Sequence, residues 1–205
     1  MSPLTPRPYV SRARAAASEA KRQAVIEAAA AFMRVNPMTA FSLESVAAAA
    51  GVTRLTVYKL FGSRGGLLEA VFDYLARNGR LESIADAVTD PDPRKGFLRL
   101  AEVFCDFWSG DAAVGRLHEA MATDPELAQA LSERNERRRR AVKALLERMQ
   151  VPATAGQRRD AADLIFALTS YPMFRLLSGG RSAAETCVLI KAVCNDTLDR
   201  LSARA

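Results

Sequence analysis

Apolar residues recur at helical spacing along almost the whole of this 205-residue chain. Val25, Ile26 and Ala29 are one example, because residues three and four apart lie on one face of an α-helix. No segment sustains the alternation of apolar and polar residues that a half-buried strand requires. We therefore expect an all-α protein of about nine helices, separated where proline, glycine or a capping side chain ends one helix and begins the next.

Two short helices with a tight corner between them are predicted within residues 41–68. Ser42 and Thr53 can each cap the start of a helix, and Gly62 can end the second one. Gly51 stands at the corner, where we expect the two helices to pack too closely for a side chain. This pattern predicts a helix-turn-helix, in which the second helix enters the DNA major groove and the first crosses the backbone.

The candidate DNA-binding residues lie at the helix starts and on the polar face of the second helix. They are Ser42, Thr53, Arg54, Leu55, Thr56, Tyr58, Lys59 and Arg64. Hydroxyl and cationic side chains can hydrogen-bond phosphates, whereas Arg54 can donate two bonds to guanine, and Leu55 or the Thr56 methyl can touch a thymine methyl. The alternative is an ordinary helical hairpin with a solvated polar face.

The distribution of charge favours the DNA-binding interpretation. Up to residue 64 the chain has nine Lys and Arg against three Asp and Glu, and the rest has twenty of each sign. The whole net charge of +6 therefore accompanies the helix-turn-helix. We expect residues 1–17 to form a flexible basic arm whose Arg7, Arg12 and Arg14 add affinity for DNA.

The same residues resemble the tetracycline-repressor (TetR) family of transcription regulators over residues 22–74. The resemblance is carried by Ser42, Ala47, Ala50-Gly51-Val52-Thr53, Thr56-Val57-Tyr58, Phe61 and Ser63-Arg64. It implies that Tyr58 and Arg64, with Ser42 and Thr53 at the helix starts, contact phosphates. It also implies that Arg54, Leu55 and Thr56 occupy the base-reading positions.

The chain departs from the family pattern at several positions. Leu55 replaces a small residue or proline, and Lys59-Leu60 replaces a commoner aromatic–His pair. Gly65-Gly66 replaces the usual acidic residues, and these glycines are expected to fray the next helix by roughly 1 kcal/mol each relative to alanine.

The resemblance implies a second domain that binds a small-molecule inducer and forms a homodimer, so that inducer binding moves the fourth helix and separates two DNA-binding heads. We expect an arm at 1–17, a DNA-binding domain at 18–64 and a ligand-binding and dimerisation domain at 65–205.

The last two predicted helices, 157–178 and 182–203, suit a dimer interface. One face of the final helix carries Cys187, Ile190, Cys194, Leu198 and Leu201. The alternative is that this face packs within its own chain.

Several residues of the second domain are candidates for a ligand pocket. They are Phe104, Phe107, Trp108, His118, Met121, Arg138, Phe166 and Tyr171. Aromatic residues are more often plain core, and a lone histidine is more often structural than a ligand contact. Arg138 falls on the apolar stripe of its helix, so it needs either a carboxylate partner, with Asp160 and Asp163 as candidates, or an anionic ligand.

Several classes of function are disfavoured. Cys105, Cys187 and Cys194 have no CxxC spacing, and the chain has a single histidine, so we expect no metal, no cofactor and no catalysis. No apolar run approaches the length of a membrane span, and the first residues do not resemble a signal peptide, which predicts a cytoplasmic protein.

The favoured function is a ligand-responsive regulator, most simply a repressor, on a palindromic operator. The alternatives are a nonspecific architectural DNA-binding protein and an all-α helix-bundle enzyme.

Overall fold

The computed structural model describes residues 8–122 and 124–203, and within them the secondary structure is entirely helical. The α-helices are α1 Pro8–Val35, α2 Leu43–Ala49, α3 Arg54–Phe61, α4 Arg64–Asn78, α5 Ile84–Thr89, α6 Pro93–Gly110, α7 Ala112–Met121, α8 Pro125–Arg148, α9 Ala155–Leu168, α10 Tyr171–Leu177 and α11 Ala183–Ala203. Short 3₁₀ turns occupy Met38–Ala40 and Leu81–Ser83. The all-α prediction is confirmed. None of the helices in this part of the chain is long and apolar enough to cross a membrane.

These eleven helices exceed the expected nine because two predicted helices are each divided. The helix predicted over 64–88 ends at Asn78, and Arg80 then adopts a left-handed backbone with φ 55° before α5 begins. The helix predicted over 157–178 is interrupted after Leu168. There Ser170 caps a new helix, and Pro172 lies in its first turn, where a missing N–H costs nothing.

The first helix begins ten residues earlier than expected. Residues 8–17, predicted to be a flexible arm, form the start of α1. Pro8 is compatible with the first helical position, and the following alanine and arginine residues have high helix propensity. Arg12 and Arg14 are exposed on this helix, whereas Arg7 lies outside the described residues.

The chain divides into two compact units, Met1–Val71 and Phe72–Ala205. In the first unit, α2 packs against α1 and α3. Its largest fully buried side chains include Ile26, Met33, Leu67 and Leu68. This apolar centre holds the helix-turn-helix in place.

The second unit is built around α6, which packs against α5, α7, α8, α10 and α11. The inward face of α6 buries Phe97, Leu100, Ala101, Phe104, Cys105, Phe107 and Trp108. Helix α9 packs between α8 and α11. The aromatic candidates from the sequence therefore sit at the centre of one helical unit.

The apolar stripe of α11 does not form an outer surface. Ile190, Cys194, Leu198 and Leu201 are each less than 5% exposed and pack inside the same chain, while Cys187 is half-buried. The predicted use of this stripe as a dimer interface is therefore wrong, because these side chains already face α6 and α9. The exposed large apolar side chains of this region are Leu164, Leu176 and Val188, on α9, α10 and α11.

The three cysteines are free thiols inside or near the core. Burial raises the pKa of Cys194 to about 12, and it also raises the pKa of Cys105, whose thiol hydrogen-bonds with Cys187. All three pKa values are raised, so these thiols stay protonated at neutral pH and are poor nucleophiles.

Candidate nucleic-acid interface and ligand cavity

The start of α2 is fixed by a capping box. The Ser42 hydroxyl accepts a hydrogen bond from the Ser45 backbone N–H at 3.0 Å, and the Ser45 hydroxyl accepts one from the Ser42 N–H at 2.9 Å. Two backbone donors that a helix start leaves unpaired are thereby satisfied. The sequence indicated Ser42 as a cap, but it did not indicate that Ser45 completes the pair.

The corner between α2 and α3 depends on the backbone of Gly51. Its φ is +64°, a left-handed conformation that L residues rarely adopt. A Cβ atom there would meet no described atom within 4 Å, so the expected reason for the glycine, close helix packing, is wrong. Val46, Ala47 and Val57 are buried beneath the corner and hold the two helices together.

Helix α3 presents a polar face to solvent. Thr53 caps it by accepting from the Thr56 N–H at 3.2 Å, and the two threonine hydroxyls lie 2.9 Å apart. Leu55 and Tyr58 are 59% and 54% exposed. Lys59 is also exposed, so the predicted contact residues of this helix lie on its accessible side.

Arg54, the predicted base-reading residue, is paired with a carboxylate. Its Nε atom lies 2.5 Å from Oε1 of Glu44 in the first turn of α2, and both side chains are largely exposed. An exposed ion pair contributes little free energy, so a phosphate or guanine can replace Glu44 as the partner of Arg54. The sequence did not indicate this pairing.

Arg64 is held against the start of the motif. Its Nε donates to the Phe41 carbonyl at 3.2 Å, and its guanidinium lies over the Phe41 ring, 5.7 Å from the centroid. These contacts orient a half-buried arginine at the start of α4.

Gly66 is required by its surroundings. The Ser63 hydroxyl accepts from the Gly66 N–H at 3.0 Å and caps α4. A Cβ atom at position 66 would collide with the backbone carbonyl oxygen of Phe61. The expectation that alanine would be better at this position is therefore wrong.

The second unit contains a cavity of about 610 Å³, within the range of small-molecule sites. Its walls come from α4 to α8, and it is lined by Phe72, Asp73, Ala76, Arg77, Leu81, Glu82, Ile84, Ala85, Phe104, Phe107, Trp108, His118, Leu131, Arg134, Asn135, Arg137 and Arg138. Five predicted ligand-binding residues are among them: Phe104, Phe107, Trp108, His118 and Arg138. The wall from α4 and α5 was missed, because the break after Asn78 was not predicted.

The other three candidates lie outside this cavity. Tyr171 packs against the face of the His118 ring and its hydroxyl lies 3.4 Å from Oε1 of Glu119. The ring of Phe166 is covered by two guanidinium groups, each 4.1 Å from its centroid. Met121 is the last residue of α7 and is half-buried.

Arg138 is 6% exposed, and neither predicted carboxylate is its partner. Its Nη1 donates to the Thr169 carbonyl at 2.7 Å, and its guanidinium lies over the rings of Phe104 and Phe166. Its Nε has no hydrogen-bond partner within the described part of the chain. Burial, with the neighbouring charge of Arg139, lowers the pKa of Arg138 to about 10, so the group remains charged at neutral pH.

His118 lies beside Arg138 on the cavity wall. Its ring meets the Trp108 ring edge-on, with 4.7 Å between the two ring centroids. Its buried Nε2 has no hydrogen-bond partner among the described residues. Burial, reinforced by the charge of Arg138, lowers the pKa of His118 to about 4. The imidazole is therefore neutral at pH 7.

This shift predicts that His118 titrates near pH 4 rather than 6.5. Because the unfolded chain binds the proton first as the pH falls, the stability associated with this group is present above pH 6.5 and is lost between 6.5 and 4. The chain has one histidine, so its imidazole NMR signals report the titration directly. Arg138→Gln should raise the measured pKa, and titration of the wild-type ring near pH 6.5 would contradict this account.

The architecture defines a helix-turn-helix DNA-binding protein with a second helical unit. Residues 25–71 match the family model described as bacterial regulatory proteins, tetR family. This match confirms the resemblance to the TetR family that the motif indicated. No curated protein matches the sequence significantly.

Several solved structures share the fold over most of the chain. A TetR-family regulator of Mesorhizobium loti is 22% identical, with 89% of this chain and 96% of that chain covered and a TM-score of 0.62. LfrR of Mycobacterium smegmatis, solved with proflavine, is 24% identical, with 88% and 97% covered and a TM-score of 0.54. A regulator of Saccharomonospora viridis, solved with choline, is 16% identical, with 89% and 96% covered and a TM-score of 0.61.

Proposed function

We propose that this protein is a ligand-responsive, sequence-specific DNA-binding transcriptional regulator, acting as a repressor that a small molecule releases from its operator. The observation that carries the proposal is the exposed polar face of α3 in a TetR-family domain, accompanied by a cavity of about 610 Å³ in the second unit. A structure without such a cavity would have favoured the alternative function, a nonspecific architectural DNA-binding protein.

The proposed DNA contacts divide into two sets. The hydroxyls of Tyr58 and Thr53, with Lys59, contact phosphates and set the register of the helix in the groove. Ser42 and Arg64 contribute at the starts of α2 and α4. Arg54, Leu55 and Thr56 read base edges, since they lie at the N-terminal end of the recognition helix, where such helices approach the bases.

Arg54→Ala tests the sequence-specific part of this proposal. We expect it to reduce discrimination at one base pair of the selected operator by about 1–3 kcal/mol, because a bidentate arginine–guanine contact is lost. The measurement compares affinities for every single-base variant of a site selected from random DNA by the purified protein.

Arg159→Ala is the matched control, since Arg159 is an exposed arginine of the second unit. It should leave the base preferences unchanged. If Arg54→Ala weakened binding to all sequences equally, the protein would be a nonspecific DNA binder instead.

The ligand-responsive part rests on the cavity and on α4. The lining residues Phe72, Asp73, Ala76 and Arg77 belong to this helix, whose first residues carry Arg64 and Gly66. A ligand that displaces these side chains acts on the same helix that contributes to the DNA-binding domain. The relatives solved with proflavine and choline support ligand binding in this fold.

We further propose a homodimer formed through α9 and α11, which pack on each other. Leu164 on α9 is 54% exposed and Val188 on α11 is 68% exposed, so both offer apolar surface to a second copy. A symmetric dimer presents two recognition helices and reads two inverted half-sites.

A further inference from the structure

Beside the cavity of the second unit lie two buried polar atoms that no group in the described part of the chain satisfies. Arg138 Nε and His118 Nε2 are both inaccessible to solvent and lack a partner in the described residues. Both residues line the same cavity, one from α8 and the other from α7. Buried polar atoms are almost always hydrogen-bonded in folded proteins, so a pair of exceptions on one cavity wall indicates a polar ligand group.

The charged residues around these two atoms indicate that the polar group of the ligand is an anion. Four arginines line the cavity, Arg77, Arg134, Arg137 and Arg138, against two acidic residues. Of those acids, Asp73 is bound by Arg134 at 2.6 Å. The guanidinium of Arg138 contacts a neutral carbonyl and two aromatic rings, so its charge has no counter-ion among the described residues. A buried charge without a counter-ion is costly, and an anion relieves that cost.

The apolar residues of the cavity wall indicate the chemical nature of the rest of the ligand. Aromatic and aliphatic side chains, including Phe72, Phe107, Trp108 and Leu131, make up much of the lining. Such a wall suits a flat apolar group.

We propose that the cavity binds an organic anion in which a carboxylate is attached to an aromatic body, and that the side chains of Arg138 and His118 turn toward it so that Arg138 Nε and His118 Nε2, both inaccessible in this structure, donate hydrogen bonds to the carboxylate oxygens. With its proton on Nε2, the neutral imidazole of His118 donates to the ligand while Arg138 supplies the charge. This inference rests on the proposed function, since it names the ligand class of the same site.

The test compares two probes of equal shape, 2-naphthoate and the neutral 2-naphthamide, by isothermal titration calorimetry on the full-length protein at pH 7.5. We expect the carboxylate to bind roughly ten- to hundred-fold more tightly than the amide, since its hydrogen bonds are charge-assisted. Equal affinities, or no binding of the carboxylate, would overturn the proposal. This comparison needs no variant, so it does not depend on whether a substituted protein folds.

Arg138→Gln should lower the affinity for 2-naphthoate to that for the amide and leave the amide affinity unchanged within about two-fold. Equal losses for both probes would show that Arg138 only supports the shape of the cavity, which would overturn its assigned role. Arg159→Gln is the matched control, because Arg159 is an exposed arginine of the second unit and does not line the cavity. It should leave both affinities unchanged. A shift of the single histidine's NMR signals places the bound carboxylate beside His118.

The same titrations repeated on the DNA complex separate this inference from the proposed function. Binding of 2-naphthoate that depends on Arg138 but leaves the operator bound would support the ligand class and contradict ligand-controlled release. Release of the operator by 2-naphthamide as effectively as by 2-naphthoate would support the regulator and overturn the anion site.

Discussion

Replacing Leu164 and Val188 together with aspartate should convert the protein to a monomer and weaken operator binding by roughly 10²–10⁴-fold. Both side chains are more than half exposed, so the substitutions leave the core intact. Two helix-turn-helix units joined in one dimer bind the second half-site as an intramolecular step, and a monomer loses that advantage. Sedimentation equilibrium measures the assembly, and titration of a labelled operator measures the affinity.

Val35→Asp provides a matched control, because Val35 is 79% exposed but lies at the end of α1. It adds one aspartate to an accessible apolar position and should leave the mass of the assembly unchanged. A Leu164→Asp/Val188→Asp protein that remained dimeric would place the interface elsewhere and contradict the proposed role of α9 and α11.

Gly66→Ala should destabilise the DNA-binding unit by about 1–3 kcal/mol, the usual cost of forcing an extra carbon into a packed site. The added Cβ would meet the backbone carbonyl oxygen of Phe61, which ends α3, and backbone cannot move aside as a flexible side chain can. Because α3 carries the recognition residues, we also expect weaker operator binding. Urea unfolding followed by circular dichroism measures the free energy.

Gly156→Ala is the corresponding control in the first turn of α9. Among the described atoms, a Cβ there would have only the Thr154 hydroxyl oxygen nearby, at 3.9 Å. Alanine should therefore stabilise the helix by up to about 1 kcal/mol through propensity alone. If Gly66→Ala also stabilised the protein, the contact with Phe61 would not have the assigned cost.

The helix-turn-helix could be predicted from the sequence because its signals are local. Ser42 and Thr53 cap the helices that directly follow them, and Gly62 ends α3 with a φ of +75°. Such features depend on neighbouring residues, so a single sequence contains them. Glu44 is an exception, since its pairing with Arg54 depends on how α2 and α3 meet.

The cavity and the outer surface of α11 could be predicted only in part, because they depend on contacts between distant segments. The apolar stripe through Ile190 and Cys194 was recognised, but periodicity does not tell whether a buried face contacts its own chain or a partner. Arg138 was recognised as inward-facing, yet its partner is the Thr169 carbonyl, thirty-one residues away, exposed by a helix break that was not expected.

The break between α9 and α10 links a residue of the cavity wall, Arg138, to the helix that carries the exposed Leu164. The Thr169 carbonyl accepts hydrogen bonds from Trp108 at 3.0 Å and from Arg138 at 2.7 Å, and α9 carries Leu164 a few residues before it. A ligand that draws Arg138 away from Thr169 therefore changes the end of α9, and association through α9 restrains it in return. By thermodynamic reciprocity, the affinity for such a ligand should depend on protein concentration across the range where the chains associate.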